Sequence, residues 1–351
     1  MRRYVPFINF LTLVRIIARN WPVSAAGLLH LLPWLAKTIV LEPLRWIELI
    51  FFERKIKHHE LPQSPIFILG HYRSGTTYLQ RIFMQDDRLG YMSIFQSVLP
   101  EIMLGFERVL TPVLQFFCDL FKVRNPFHRI PFTWKFPGED DVGMVSMLHP
   151  EATQWGILFP RKMDDYFNRH ALFDKSAYRY LLKKISLQNK GRRLVLKSPP
   201  NTARVKELLE MFPQASFVFI HRNPFDIYAS TKRFWQVISK HYMLGKTVKA
   251  DIPKIILRHY EAMMSRYLEY RQLVPEGQLT EVSYNDLVHD PMNTMRSIYK
   301  KLNLPGIQHC TREMERFINE QQSYQRLNHQ LSREETSLVE GSLGKLANEW
   351  K

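Results

Sequence analysis

Short apolar runs alternate along this chain with stretches whose apolar positions recur every three or four residues. Ile66–Leu69 and residues 216–220 (SFVFI) are unbroken apolar runs, the pattern of strands covered on both faces. Residues 194–196 and Leu279–Ser283 read as two more strands. Helical spacing falls on residues 78–84, 176–188 and 202–211, the last stopped by Pro213. It returns over 252–273, with Tyr260, Met263, Met264 and Tyr267 near one face, and over a helix that begins at Asp290-Pro291 and runs through Leu302. Strands alternating with helices in this order imply a parallel sheet with right-handed crossovers, hence an α/β fold flanked by helices.

The two ends of the chain depart from this alternation. Residues 1–57 are rich in Leu, Ile, Trp and Phe, with Arg2, Arg3, Arg15 and Arg19 early on. Residues 20–36 carry no charge but are interrupted by Pro22 and Pro33, and they fall short of the ~20 residues that span a bilayer. Residues 35–52 carry Lys37, Glu42, Arg45 and Glu48 among apolar neighbours, which suits an amphipathic helix lying in a membrane interface. The same spacing also suits a helix on the protein's own core, and a transmembrane anchor is the third reading. Residues 1–60 are therefore set apart as an apolar and basic helical segment that associates with a membrane, and 61–351 as the main domain. Residues 91–136 are long and aromatic (Phe95, Phe106, Phe116, Phe121, Phe127, Trp134), with helical spacing over 99–121. The polar tail, 321–351, reads as helical.

Candidate chemistry concentrates where two of the strands end. After Ile66–Leu69 comes Gly70-His71-Tyr72-Arg73-Ser74-Gly75-Thr76-Thr77, which matches G-x-x-x-x-G-K-[ST] except that Thr76 stands where a nucleotide triphosphatase has lysine. Backbone N–H groups and a helix N-terminus still point at an anion there, making the sheet P-loop-like. The missing lysine argues against the β,γ-phosphates of ATP. The run 216–220 ends in His221-Arg222-Asn223-Pro224, where a Walker-type enzyme usually has a magnesium-holding aspartate, and Ser230 follows Arg222 by eight residues. An arginine supplies a phosphate fork without a metal.

These two segments resemble the sulfotransferase family that uses 3′-phosphoadenosine 5′-phosphosulfate (PAPS). That family's first loop has the form [KR]-[ST]-G-T-[ST], here Arg73-Ser74-Gly75-Thr76-Thr77, and the resemblance implies that it holds the 5′-phosphosulfate. Its arginine and serine spaced by eight correspond to Arg222 and Ser230, implied to hold the 3′-phosphate. An arginine in the first loop is closer to the bacterial, Golgi and carbohydrate or tyrosine branches than to the cytosolic one. The resemblance covers roughly residues 61–304, and it makes 61–351 a sulfotransferase domain. It implies that Lys197, in Lys197-Ser198-Pro199, contacts the transferred group, whereas Pro199 replaces the histidine base of the cytosolic branch. It also implies that Glu139 or Asp140, in the acidic box Pro137-Gly138-Glu139-Asp140-Asp141, is the base, and that Tyr284 approaches the adenine. A solvated acidic turn or a helix N-terminus, and a buried strand-end tyrosine, are the plain readings of those two segments. His71 is a second candidate near donor or acceptor; His149 reads as structural. The aromatic stretch 91–136 corresponds to acceptor-binding helices and suggests an apolar pocket.

Charge adds a partner. The 351 residues carry a formal charge of +16, with a pI near 9.8, while 45% of them are hydrophobic. No nucleic-acid motif is present, and a PAPS pocket uses only a few of these charges, so an anionic membrane surface accounts best for the excess. Cys118 and Cys310 form no framework and fit a reducing compartment as free thiols. No metal-ligand spacing is found. The chain thus reads as a metal-independent PAPS sulfotransferase acting on a lipid or other hydrophobic hydroxyl, cytoplasmic and peripheral at the membrane. The alternatives are a P-loop kinase, which magnesium dependence would favour, and a non-catalytic binding protein of the same fold.

Overall fold

A computed structural model describes residues 7–125, 131–167, 173–246, 252–321 and 331–350. Arg2, Arg3, Phe127 and residues 322–330 of the tail lie outside the described residues. The chain divides into two units, each assembled from three stretches of sequence.

One unit comprises 62–91, 192–233 and 253–351 and holds the sheet. Its strands are β1 (Ile66–Leu69), β2 (Leu89–Tyr91), β3 (Arg193–Lys197), β4 (Ser216–His221) and β5 (Leu279–Ser283), ordered β2-β3-β1-β4-β5. Every pairing is parallel, with Phe67 opposite both Leu196 and Phe217. The apolar runs are where they are because β1 and β4 are sealed on both faces: all four residues of β1 are buried, as are Ser216 to Ile220. Ile66, Ile68, Leu79, Phe83, Val218 and Met295 form part of one core under the helices Thr76–Phe83, Pro291–Lys301 and Thr311–Gln321. β1 is central, and the strands that follow it are added on its two sides. Such a switch point opens a crevice at the carboxyl ends of the strands, where α/β folds bind ligands. The α/β, P-loop-like parallel sheet flanked by helices is therefore present, together with N-terminal apolar helices.

The other unit, 1–61, 92–191 and 234–252, is helical. Its helices include Ile8–Arg19, Ala25–Val40, Glu42–His58, Met103–Leu120, Asp140–Ser146 and Lys175–Gln188. Helix Lys175–Gln188 packs on Glu42–His58, Met103–Leu120 and Asp140–Ser146. Ser24 caps Ala25–Val40 by accepting the Gly27 N–H at 2.8 Å. No described helix is by itself long and apolar enough to cross a membrane, but Ala25–Val40 and Glu42–His58 together pass by length and composition, with a 48° bend between them.

Three expectations need correction. Residues 35–52 are not one helix: the chain breaks at Leu41 and restarts with Pro43 in the first turn, where a missing N–H costs nothing. Nor do its charges form the outer face. Glu42, Arg45 and Glu48 are buried while Ile50 and Phe51 are 70% and 72% exposed, so this helix is inverted relative to the usual pattern. The helix expected over 202–211 is confined to Val205–Met211, because Pro199 and Pro200 lead into a short 3-10 turn at Pro199–Ala203. The edge strand β2 has too little apolar sequence, Leu-Gly-Tyr, to announce itself.

Candidate active site

The loop after β1 is built around two close approaches. At Gly70, φ is 146°, and a Cβ would sit 2.6 Å from both the Ile220 carbonyl oxygen and Ser74 Oγ. At Gly75, φ is 103°, and a Cβ would sit 2.5 Å from the Tyr284 ring. No side chain fits at either position, and the positive φ is open to glycine without strain. Thr202 holds the first turn: its hydroxyl accepts the Gly70 N–H at 2.8 Å and lies 3.2 Å from the Gly70 carbonyl. Gly75 is also the N-cap of Thr76–Phe83, and no side chain caps that helix, so its first N–H groups face whatever fills the loop. Ser74 is fully buried, and its Oγ has no hydrogen-bond partner among the described residues. Thr76 is buried and Thr77 half-buried at the same turn.

The second motif meets the first. Arg73 lies at φ 71°, a conformation that costs a non-glycine residue about 1–3 kcal/mol. From there its Nε donates to Ser230 Oγ at 3.0 Å, across 157 residues of sequence. Arg222, just past β4, stacks its guanidinium 4.5 Å from the centroid of the Tyr284 ring. It also pairs with Asp226 at 3.2 Å, one turn along helix Pro224–His241. Arg73, Gly75, Arg222, Ser230 and Tyr284 thus form one cluster at the carboxyl ends of β1, β4 and β5. Two guanidinium groups, a serine hydroxyl, a helix N-terminus and an aromatic face suit an anionic ligand with a planar base.

Lys197 is the last residue of β3, opposite Ile68, and only 3% exposed. His71 is buried within the loop. Its Nδ1 lies 2.9 Å from the Tyr72 carbonyl, which only accepts, so Nδ1 carries the proton and Nε2 presents its lone pair. Burial lowers the His71 pKa to about 4, and the ring is neutral at pH 7. Its Nε2 has no hydrogen-bond partner among the described residues, and the rings of Tyr260 and His259 lie 5.0 and 5.5 Å away. Sequence reasoning missed Thr202, His259 and Tyr260 as neighbours of the loop. Helical spacing placed Tyr260 only near one face of a helix and Thr202 only at the start of another, and nothing marked His259.

The acidic box is in the helical unit. Glu139 is the N-cap residue of Asp140–Ser146, half-buried, and accepts from Gln154 Nε2 at 3.0 Å. Asp140 and Asp141 are 1% exposed: Asp140 accepts from the Tyr178 hydroxyl at 2.5 Å, and Asp141 from the Gln154 N–H at 3.1 Å. Both carboxylates sit where a helix N-terminus favours negative charge. Asp140 is the more enclosed, and Glu139 the more accessible. His149 pairs with Asp174 at 3.0 Å.

The sequence matches the model of a protein family described as the sulfotransferase family over residues 65–309. It is 25% identical over 313 residues to omega-hydroxy-beta-dihydromenaquinone-9 sulfotransferase Stf3 of Mycobacterium bovis, covering 86% of this chain and 78% of that protein. The fold is similar to that of sulfotransferase STF9 from Mycobacterium avium, with a TM-score of 0.73 and 17% identity, over 97% of this chain and 91% of that one. Sulfotransferase STF1 from Mycobacterium tuberculosis is similar at a TM-score of 0.71 and 20% identity, over 94% and 90%. At these identities the two structures speak to the fold.

Proposed function

The chain belongs to the sulfotransferase family, a family of transferases, and we propose that it moves a sulfuryl group from PAPS to a hydroxyl of a lipid or other hydrophobic acceptor at the cytoplasmic face of a membrane. The observation that carries the donor assignment is the Arg73–Ser230 hydrogen bond, which joins the two phosphate motifs in one cluster. Arg73, Ser74, Gly75, Thr76 and Thr77 would hold the phosphosulfate through backbone N–H groups and hydroxyls. Arg222 and Ser230 would hold the 3′-phosphate, with Tyr284 beside the adenine. The match to a relative whose name specifies a hydroxylated menaquinone supports a lipid hydroxyl as acceptor.

The transfer needs no covalent intermediate. The acceptor oxygen attacks sulfur while the bond from sulfur to the bridging oxygen breaks, and 3′,5′-adenosine bisphosphate leaves with that electron pair. Lys197 would stabilise the charge on the bridging oxygen. Glu139, with Asp140 behind it, is the proposed acceptor of the hydroxyl proton. His71 Nε2 is the alternative base, favoured by its buried lone pair, which has no hydrogen-bond partner among the described residues, in the loop itself. No metal enters this scheme.

Calorimetric titration with 3′,5′-adenosine bisphosphate tests the donor site. Tight binding without magnesium, lost in Arg222→Ala, is expected. Binding of magnesium-ATP in its place would move the chain to the kinases. Single-turnover transfer then separates the bases: Glu139→Gln should bind donor normally and lose turnover by about 100-fold or more. Full turnover in that variant would remove Glu139 from the role and leave it to Asp140 or His71.

A further inference from the structure

Twenty of the twenty-two exposed large hydrophobic side chains among the described residues belong to the helical unit, most of them on its helices. Helix Ala25–Val40 turns Leu28, Leu29, Leu32, Ile39 and Val40 outward, and none of its exposed positions is charged. Helix Glu42–His58 continues with Ile47, Ile50 and Phe51, then ends in exposed Arg54, Lys55, Lys57 and His58. Helix Met103–Leu120 adds Val109, Val113, Phe116, Phe117 and Leu120. The three helices are neighbours in that order, and the Glu48 carboxylate accepts the N–H groups of Leu104 and Gly105 at 2.9 and 3.1 Å.

The opposite faces are committed to protein. Glu42 pairs with Arg45 at 2.5 Å, Glu48 with Lys184 at 2.6 Å, and Glu53 accepts from the Tyr180 hydroxyl at 2.7 Å. A membrane-spanning bent pair would carry these carboxylates into lipid, at a cost of several kcal/mol. On helix Glu42–His58 the closed side is therefore polar, and the open side is apolar as far as Phe51. Exposed apolar area on this scale marks an interaction surface. Its flanks are basic: Arg15, Arg54, Lys55, Arg108 and Lys122 are exposed, against Asp119 as the one exposed acid on these helices.

We propose that this face is a membrane-docking surface that seats its apolar side chains at the headgroup–acyl boundary of an anionic bilayer, without crossing it. The proposal rests on the lipid-acceptor reading above and says which surface brings the enzyme to its substrate. The excess of exposed basic over acidic residues favours an anionic bilayer over a second copy of this chain as the occupant, because a self-complementary contact would bring like charges together.

The test is co-sedimentation of the full chain with phosphatidylglycerol–phosphatidylcholine vesicles, beside Leu29→Glu/Phe51→Glu and Arg54→Glu/Lys55→Glu, with gel filtration of each. Both pairs lie on exposed positions, and circular dichroism checks that they fold. Binding of the wild type that weakens by at least about tenfold in Leu29→Glu/Phe51→Glu is expected. A wild type that stays in the supernatant, or a double variant that binds equally well, overturns the proposal. So does a wild-type dimer that Leu29→Glu/Phe51→Glu converts to monomer without any vesicle binding. Titration with 3′,5′-adenosine bisphosphate in the same samples separates the two readings. Docking that fails with the donor still bound leaves the sulfotransferase reading intact, and the reverse result leaves the surface without that substrate.

Discussion

Arg73 meets two demands that a lysine would not. It donates to Ser230 through Nε, and its guanidinium is a planar fork of donors where an ammonium is a point charge. Arg73→Lys should keep the charge and lose the fork. We expect 3′,5′-adenosine bisphosphate to bind about 10–100-fold more weakly, and Arg73→Ala more weakly still; calorimetry reads both. His71 makes a pH-dependent prediction. Burial holds its folded pKa near 4, below the ordinary value of 6.5, so the unfolded chain binds the extra proton between those values. Stability from this group is fully present above pH 6.5 and is lost as pH falls toward 4, by an amount on the order of 3 kcal/mol. His71→Asn, whose amide N–H can still reach the Tyr72 carbonyl, should show a shallower fall in melting temperature across that window. Equal slopes would mean that His71 is neither buried nor neutral in solution. The residues of this cluster were legible because each phosphate motif lies in one short stretch after an apolar run. Thr202, 132 residues from Gly70, was not, since a lone threonine carries no sign of the backbone it will clamp.

Helix Glu42–His58 shows what periodicity leaves undecided. Spacing assigns residues to faces, but it does not say which face is inside. Here the charged face is inside because helix Lys175–Gln188 brings Lys184 and Tyr180 to Glu48 and Glu53. That pairing depends on a contact between segments over a hundred residues apart, which no local pattern records. The buried Glu48–Lys184 pair also receives the first N–H groups of Met103–Leu120, so it ties three helices together. Lys184→Met should strand a buried carboxylate and cost about 3–5 kcal/mol in denaturant unfolding, while the double change with Glu48→Gln should cost less than the sum of the single changes. Strict additivity would mean that the pair contributes no coupling. The strand–loop–helix element of the other unit was easier to read, and it is fragile in a different way. Gly75→Ala must push the Tyr284 ring aside at a φ of 103°. It should lower both the melting temperature and bisphosphate affinity, whereas an exposed glycine such as Gly341, with nothing near its Cβ position, should tolerate alanine.

At the scale of the whole molecule, the excess of sixteen positive charges and the apolar helical face make separable contributions to the same proposed event. Charge acts through the water layer, and salt removes it: the Debye length falls from about 10 Å at ~0.1 M to about 3 Å at ~1 M. Each Lys or Arg near an anionic surface is worth about 1 kcal/mol at moderate salt, so even a few rim residues shift vesicle affinity by powers of ten. Apolar insertion does not weaken with salt. Raising the salt over that range should therefore reduce binding to phosphatidylglycerol vesicles by about tenfold or more while a residual, salt-resistant fraction persists. That residue should be the same on pure phosphatidylcholine, should vanish in Leu29→Glu/Phe51→Glu, and should survive in Arg54→Glu/Lys55→Glu. Binding that disappears altogether at high salt would mean that the apolar face never enters lipid and that the chain is held by charge alone. Binding indifferent to both salt and headgroup would mean that the positive excess serves some other partner, because an anionic surface is the only role in this scheme that needs so many charges.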